Sequence, residues 1–169
     1  MSSTTERRTE LLEKLLEVTA RLAEEPDPIR LMERILDEGI AIVRAERGFV
    51  VACWRAGDAM TYRVVAARNL EKNAIEKPDF EFSRTIVRKV AEAGGARRVT
   101  DASNDPLTKD VTSINVIDVR SILCVPLRAQ GQTLGVLYMD HRFVKREFSA
   151  DDLDAVETFA RPAAVVLAA

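Results

Sequence analysis

Histidine and tryptophan each occur once, and tyrosine and cysteine twice each, in 169 residues. One His and two well-separated Cys do not supply the closely spaced ligands of a zinc site, and no Cys-x-x-Cys or paired-His element is present, so no metal or other resident cofactor is expected. Two cysteines are too few for a disulfide framework; in a reducing compartment Cys53 and Cys124 are thiols packed as small hydrophobes. Glycine is also sparse, and neither Gly94-Gly95 nor Gly131-x-x-x-Gly135 matches a dinucleotide or phosphate-loop pattern. No apolar run approaches the ~20 residues that span a bilayer, and MSSTTERRTE lacks the apolar core of a signal peptide. The cytoplasm is the expected location and a membrane is not an expected partner. Charge of one sign is missing too: 25 Lys and Arg stand against 27 Asp and Glu, interleaved, for a net charge of −2. Without a basic stripe, nucleic acid is not an expected partner either.

What is present is ordinary globular material, 47% apolar and 31% charged. A chain of this length can bury roughly 70% of its unfolded surface, so 1–169 is read as a single domain.

Residues 5–25 place Leu11, Leu15, Val18 and Leu22 on one stripe, widened by Leu12 and Leu16, which predicts an amphipathic helix within 1–25. Pro26-Asp27-Pro28 breaks it, and Asp27 caps a second helix with Pro28 at its first position, continuing to about Ala45. The period then changes to that of strands. GFVVACWRAGDAMTYRVVAAR reads as a hairpin of strands 48–55 and 60–67 turning near Gly57-Asp58. Ser83 is expected to cap a short helix carrying Ile86, Val87 and Val90, stopped by Gly94-Gly95. RRVT, 97–100, suits an edge strand, and 101–118 is rich in turn formers around Asn104-Asp105-Pro106.

SILCVPLRAQGQTLGVLYMDHR, 121–142, supplies two more strands. Ile122, Cys124 and Pro126 alternate with Leu123, Val125 and Leu127, so both faces are apolar and both are expected to be covered. Pro126 cannot donate to a ladder, which predicts a bulge or an interrupted bond there. Ser149-Ala-Asp-Asp152 reads as a capping box opening a final helix over 149–169, with Leu153, Val156, Phe159 and Ala160 inward and Pro162 as a kink. Strands clustered as hairpins, with helices before, between and after, argue for an α+β antiparallel sheet.

The same stretch gathers one Cys, one Tyr and the sole His, which raises the question of a thiol nucleophile. Such a nucleophile needs a base within hydrogen-bond reach. Cys124 falls opposite Tyr138, which puts His141 about three residues further along, or ~10 Å away. Cys124 therefore reads as structural and buried, His141 as a surface residue, and the many carboxylates as solvated helix exteriors and caps.

The order of elements, with ERGFVVACWRAGDAMTYRVVAARN near 46–69, TDASNDPLTKDVTSINVIDVRSILCVPLRAQGQTLGVLYMDHR at 100–142 and FSADDLDAVETFA at 148–160, resembles the GAF domain family. These are sensor and dimerisation modules of signalling proteins. The likeness covers about residues 10–168. In detail it is similar to GAF domains ahead of output modules in sigma-54-dependent transcription activators, histidine kinases and cyclases. The resemblance implies a five- or six-stranded antiparallel sheet, with first and last helices on one face and a ligand cavity on the other, roofed by the middle helix and loop. It also places the 48–55 strand beside the 134–140 strand, separating Cys53 from Cys124 by a whole strand, at least ~9 Å, too far for a disulfide.

Cyclic-nucleotide-binding members carry an Asn-Lys pair, a Phe and an Asp-Glu pair where this chain has His141, Arg142, Phe148, Asp152 and Leu153. Arg142 with Asp152 preserves a basic-acidic pair, but the Asn and the final Glu are gone. Pigment-binding relatives attach through a cysteine in a region where this chain has none between Trp54 and Leu123. Reductase relatives use several cysteines near the loop and late strands, where only Cys124 stands. Haem-binding relatives use a histidine over the cavity, while His141 follows the last strand.

The resulting expectation is a non-catalytic sensing and dimerisation domain of a bacterial signalling or transcription regulator. It holds an unidentified small metabolite between sheet and 101–118 loop, and Asp101, Asp105, Ser121, Cys124 and Tyr138 are the candidate contacts. It forms a homodimer through its terminal helices and passes into a covalently linked output domain, AAVVLAA ending without a cap. The alternatives are a ligand-free interaction domain, a cyclic-nucleotide-binding domain and a Cys-dependent reductase.

Overall fold

A computed structural model of the chain describes residues 2–69, 76, 81–100, 121–141 and 147–168. The side chains at 2–4, 7, 11, 15, 18, 19, 22, 81 and 82 lie outside that description, and with them the Leu11, Leu15, Val18 and Leu22 stripe. The loop 101–118 and Arg142 lie outside it as well.

Two helices come first, α1 (Ser2–Leu22) and α2 (Pro28–Val43). Asp27 caps α2 through its carboxylate, which accepts from the backbone N–H of Ile29 at 2.9 Å, with Pro28 at the first turn as its locked φ favours. The helix ends at Val43 on Arg44, whose left-handed φ of 56° lets its N–H reach the Ile40 carbonyl. A hairpin follows, β1 (Arg47–Ala56) and β2 (Ala59–Arg68), turned by Gly57 at φ 67° and Asp58. Then come α3 (Glu81–Ala93), β3 (Arg97–Val99), β4 (Ser121–Ala129), β5 (Gln132–His141) and α4 (Ala150–Ala168).

Among the described residues the sheet has five strands in the order β2-β1-β5-β4-β3, and every neighbouring pair is antiparallel. The β4–β5 hairpin closes in two residues, Gln130 at φ 52° and Gly131 at φ 78°, the doubly left-handed turn whose twist matches that of the strands. Pro126 does not carry the bulge predicted for it. It pairs with Val136, and the register changes one step later, between Leu127 and Arg128, with Leu134 as the extra residue. β3 reaches only Ile122–Cys124, so Pro126 lies on a length of β4 without an outer strand among the described residues, where a missing donor is harmless. A second irregularity between Val50 and Val51 leaves Val65 as the extra residue of β2.

Alternation along the strands sends side chains into two cores. On one face Val50, Leu123, Val125, Leu127, Leu137 and Met139 pack under α2 and α4. On the other Phe49, Val51, Ile122, Cys124, Val136 and Tyr138 pack under Ile86, Val87 and Val90 of α3. Each fully buried aliphatic or aromatic side chain is worth roughly 1.5–3 kcal/mol, so covering both faces is the main stabilisation of the sheet. α2 and α4 cover the first of these faces directly, and α1 packs on α2 and α4, its Arg21 and Lys14 both meeting Glu38 of α2.

Gly135 is required where β1, β5 and the end of α4 meet. A Cβ there would run into the Val51 carbonyl and come within 2.7 Å of Leu167 Cδ1. The predicted capping box forms as read: Asp152 N–H donates to Ser149 Oγ at 3.1 Å, and Ser149 N–H to Asp152 Oδ2 at 2.8 Å. The helix it opens continues through Pro162 to Ala168.

Candidate functional site

At one end of the α3-facing side of the sheet four polar side chains converge. Arg47 opens β1 and Asp140 lies second from the end of β5, and their Cα atoms are cross-strand partners. Arg47 Nε donates to Asp140 Oδ1 at 2.7 Å and its NH2 nitrogen to Oδ2 at 3.0 Å, a two-pronged ion pair with the carboxylate side chain fully buried. Two positions back on the same face of β5, Tyr138 Oη donates to Asp140 Oδ2 at 2.6 Å. Its one hydrogen is thereby used, so the 2.6 Å contact between Ser83 and Tyr138 is made by the serine hydroxyl donating to Tyr138 Oη. Phe49 stacks on the Tyr138 ring, centroids 4.5 Å apart and planes 13° off parallel, which fixes the phenol.

Burial and the Asp140 carboxylate push the Tyr138 phenol well above its ordinary range. It stays a neutral donor, and the proton chain Ser83 to Tyr138 to Asp140 has one direction. Ser83 was expected to cap α3; it instead lies inside the first turn, which begins at Glu81, and is buried against the sheet.

The candidate contacts predicted from sequence do not form one set. Cys124 and Tyr138 are cross-strand partners on the α3 face, and both are fully buried. Ser121 is an odd step away from Cys124 on a regular strand, so it faces α4, a correction that follows from the two-residue period. Asp101 and Asp105 lie outside the described residues. Burial drives the Cys124 thiol strongly upward, leaving it protonated.

His141 is a correction as well. It is not at the surface but 1% exposed on the α4 side, with its ring stacked on Phe148 at 4.4 Å. Phe148 is buried just before the capping box of α4, and its carbonyl accepts from Arg98 of β3 at 3.0 Å. His141, Phe148 and Asp152 thus gather where α4 begins, away from Cys124. The reading of carboxylates as solvated fails at Asp140 and Asp152, both buried.

Sequence reasoning missed Arg47, Asp140 and Ser83 as a group. The usable signal was Asp140 itself, a charge inside LGVLYMDH on the same face as Tyr138. Its partner becomes readable only once β1 is placed beside β5. Among the described residues no group of three or more His, Cys, Asp or Glu is arranged to hold a metal, and no helix is long and apolar enough to cross a membrane.

A five-stranded antiparallel sheet with helices on both faces is an α+β architecture, here with a buried polar cluster under the middle helix. The family model described as GAF domain matches residues 27–167, and the chain belongs to that family, whose members are sensor and regulatory modules of signalling proteins. The GAF domain of a phosphoenolpyruvate-protein phosphotransferase from Coxiella burnetii superposes with a TM-score of 0.74 at 19% identity, over 94% of this chain and 92% of that one. A methyl-accepting chemotaxis protein fragment gives 0.67 at 19% identity, over 89% and 94%. Free methionine-R-sulfoxide reductase from Neisseria meningitidis, solved with its substrate, gives 0.68 at 16% identity, over 94% and 88%. At these identities the likeness is one of fold. No curated protein matches the sequence significantly.

Proposed function

We propose that this GAF domain is a non-catalytic sensor that takes up a small molecule on the α3-facing side of the sheet and works as a homodimer within a signalling or transcription regulator. The observation that carries the reading is the Arg47–Asp140–Tyr138–Ser83 cluster, a few convergent polar groups set in an apolar wall. That combination is the usual chemistry of a small-molecule site: apolar area supplies affinity and a few fixed donors and acceptors supply orientation. Cys124 and Tyr138 lie on this face and Ser121 on the other, so the first two stay candidate contacts.

Catalysis through Cys124 is disfavoured by its burial and its protonated thiol, since the nucleophile must be a thiolate within reach of a base. Dimerisation is supported by large apolar side chains left in water on the terminal helices: Leu12 and Leu16, 61% and 73% exposed on α1, and Val165, 68% exposed on α4. Leu12 and Leu16 are one turn apart, as a helix seam requires.

Native mass spectrometry and a thermal-shift panel that includes cyclic nucleotides test both parts. A bound compound raises the melting temperature as its concentration exceeds its Kd, and Tyr138→Phe should remove most of that rise. A panel without any stabilising compound, together with a protein that carries no co-purified ligand, would leave the ligand-free interaction domain as the better reading. A monomer at micromolar concentration would end the dimer claim.

A further inference from the structure

We infer that a second binding site, for a small organic carboxylate with an apolar body, lies between the two hairpin tips and the last turn of α3. It is independent of the sensing reading above. Ser83 touches the polar cluster from the first turn of α3, whereas Ala91 borders this cavity from the last, about 12 Å further along at 1.5 Å per residue.

The cavity holds about 390 Å³, within the range that small-molecule sites occupy. Its apolar lining comes from Met60, Ala91, Leu134 and the Cys53 thiol, which burial keeps protonated and neutral. Arg55 and Arg128 supply its charge, and no Asp or Glu lines it. Arg128 is held in place by neutral acceptors: its NH1 nitrogen donates to Thr133 Oγ1 at 2.9 Å and its NH2 nitrogen to the Gly131 carbonyl at 3.0 Å. Those bonds orient the guanidinium without cancelling its charge. Arg55, on the other hairpin, is in no ion pair among the described residues.

Two guanidinium groups over an apolar floor select an anion, and a carboxylate matches their planar fork. A bare inorganic anion would use the arginines alone and leave the floor unfilled.

Ligand-observed nuclear magnetic resonance reads binding at this cavity without a reporter group on the protein. Titration with benzoate should give saturable line broadening of its ring protons, with binding at millimolar concentration. Inorganic phosphate should bind about tenfold more weakly and benzylamine not at all. Arg55→Gln and Arg128→Gln should each weaken benzoate about tenfold, while Arg30→Gln, an equal loss of charge on exposed α2, should leave it unchanged. Circular dichroism of each variant establishes that it is folded. No saturable response to benzoate, an equal response to benzylamine, or indifference to both cavity arginines would overturn the site. Phosphate binding as tight as benzoate would overturn the apolar-body assignment.

Discussion

Replacing Asp140 by Asn tests the buried pair at the centre of the candidate site. The substitution keeps volume and shape but removes the charge that faces Arg47, whose side chain is only 8% exposed. Breaking one half of a buried pair costs about 3–5 kcal/mol, because the remaining ion stays desolvated. Tyr138 keeps an oxygen to donate to, but that bond becomes neutral and loses about 1 kcal/mol of its strength. A total of about 5 kcal/mol corresponds to a melting temperature lower by about 10–20 °C in a domain of this size. Urea unfolding followed by circular dichroism should show the midpoint falling with an unchanged slope. The double variant Arg47→Met with Asp140→Leu should recover most of the loss, since apolar replacements of a buried pair are often neutral or stabilising. A loss below about 1 kcal/mol for Asp140→Asn would mean that the pair is hydrated like a surface salt bridge, and the argument for a buried polar cluster would collapse.

Alkaline stability follows from the two fully buried acids. Cys124 and Tyr138 both titrate above their ordinary values of 9.0 and 10.0 in the fold, so the unfolded chain releases their protons first. Their contribution is therefore complete below about pH 9 and declines as pH rises beyond it, by about 1.4 kcal/mol per unit for each group ionised only in the unfolded state. Urea midpoints measured from pH 8 to pH 10.5 should fall, and Cys124→Ala should flatten the first part of the decline. Ser149→Ala removes a cap acceptor from α4 and should cost about 1 kcal/mol by the same assay, with Ser149→Asp restoring most of it. Gly135→Ala forces a methyl group against the Val51 carbonyl and Leu167; a loss of about 1–3 kcal/mol is expected, and a neutral result would show that the strands separate there with ease.

Much of the fold was legible because its signals are local. Asp27-Pro28, Gly57-Asp58 and Ser149–Asp152 each announce a boundary through the backbone conformation or capping bond they favour, and each boundary stands where those residues put it. The two-residue period of 121–127 likewise assigned its apolar side chains to two covered faces. The candidate site was less legible because its members meet only across the sheet. Arg47 and Asp140 are paired by the β1–β5 register, which no short-range pattern encodes. Ser83 looked like a cap because serine usually is one before a helix; burial against Tyr138 outweighed that local preference. His141 was placed at the surface from its position after an apolar strand, whereas the Phe148 ring that covers it arrives from the segment before α4.

Asp140 and His141 are consecutive residues, yet one belongs to the polar cluster beneath α3 and the other to the stack beneath α4. A single peptide unit, with ~3.8 Å between Cα atoms, is all that separates the two sides of the molecule there. β5 has a strand on each side, β1 and β4, and cannot roll about its own axis without shearing both ladders. In mechanical terms β5 is a shared wall: the polar cluster and the aromatic stack hang on its two sides, and a displacement of its backbone at residues 140 and 141 moves both together.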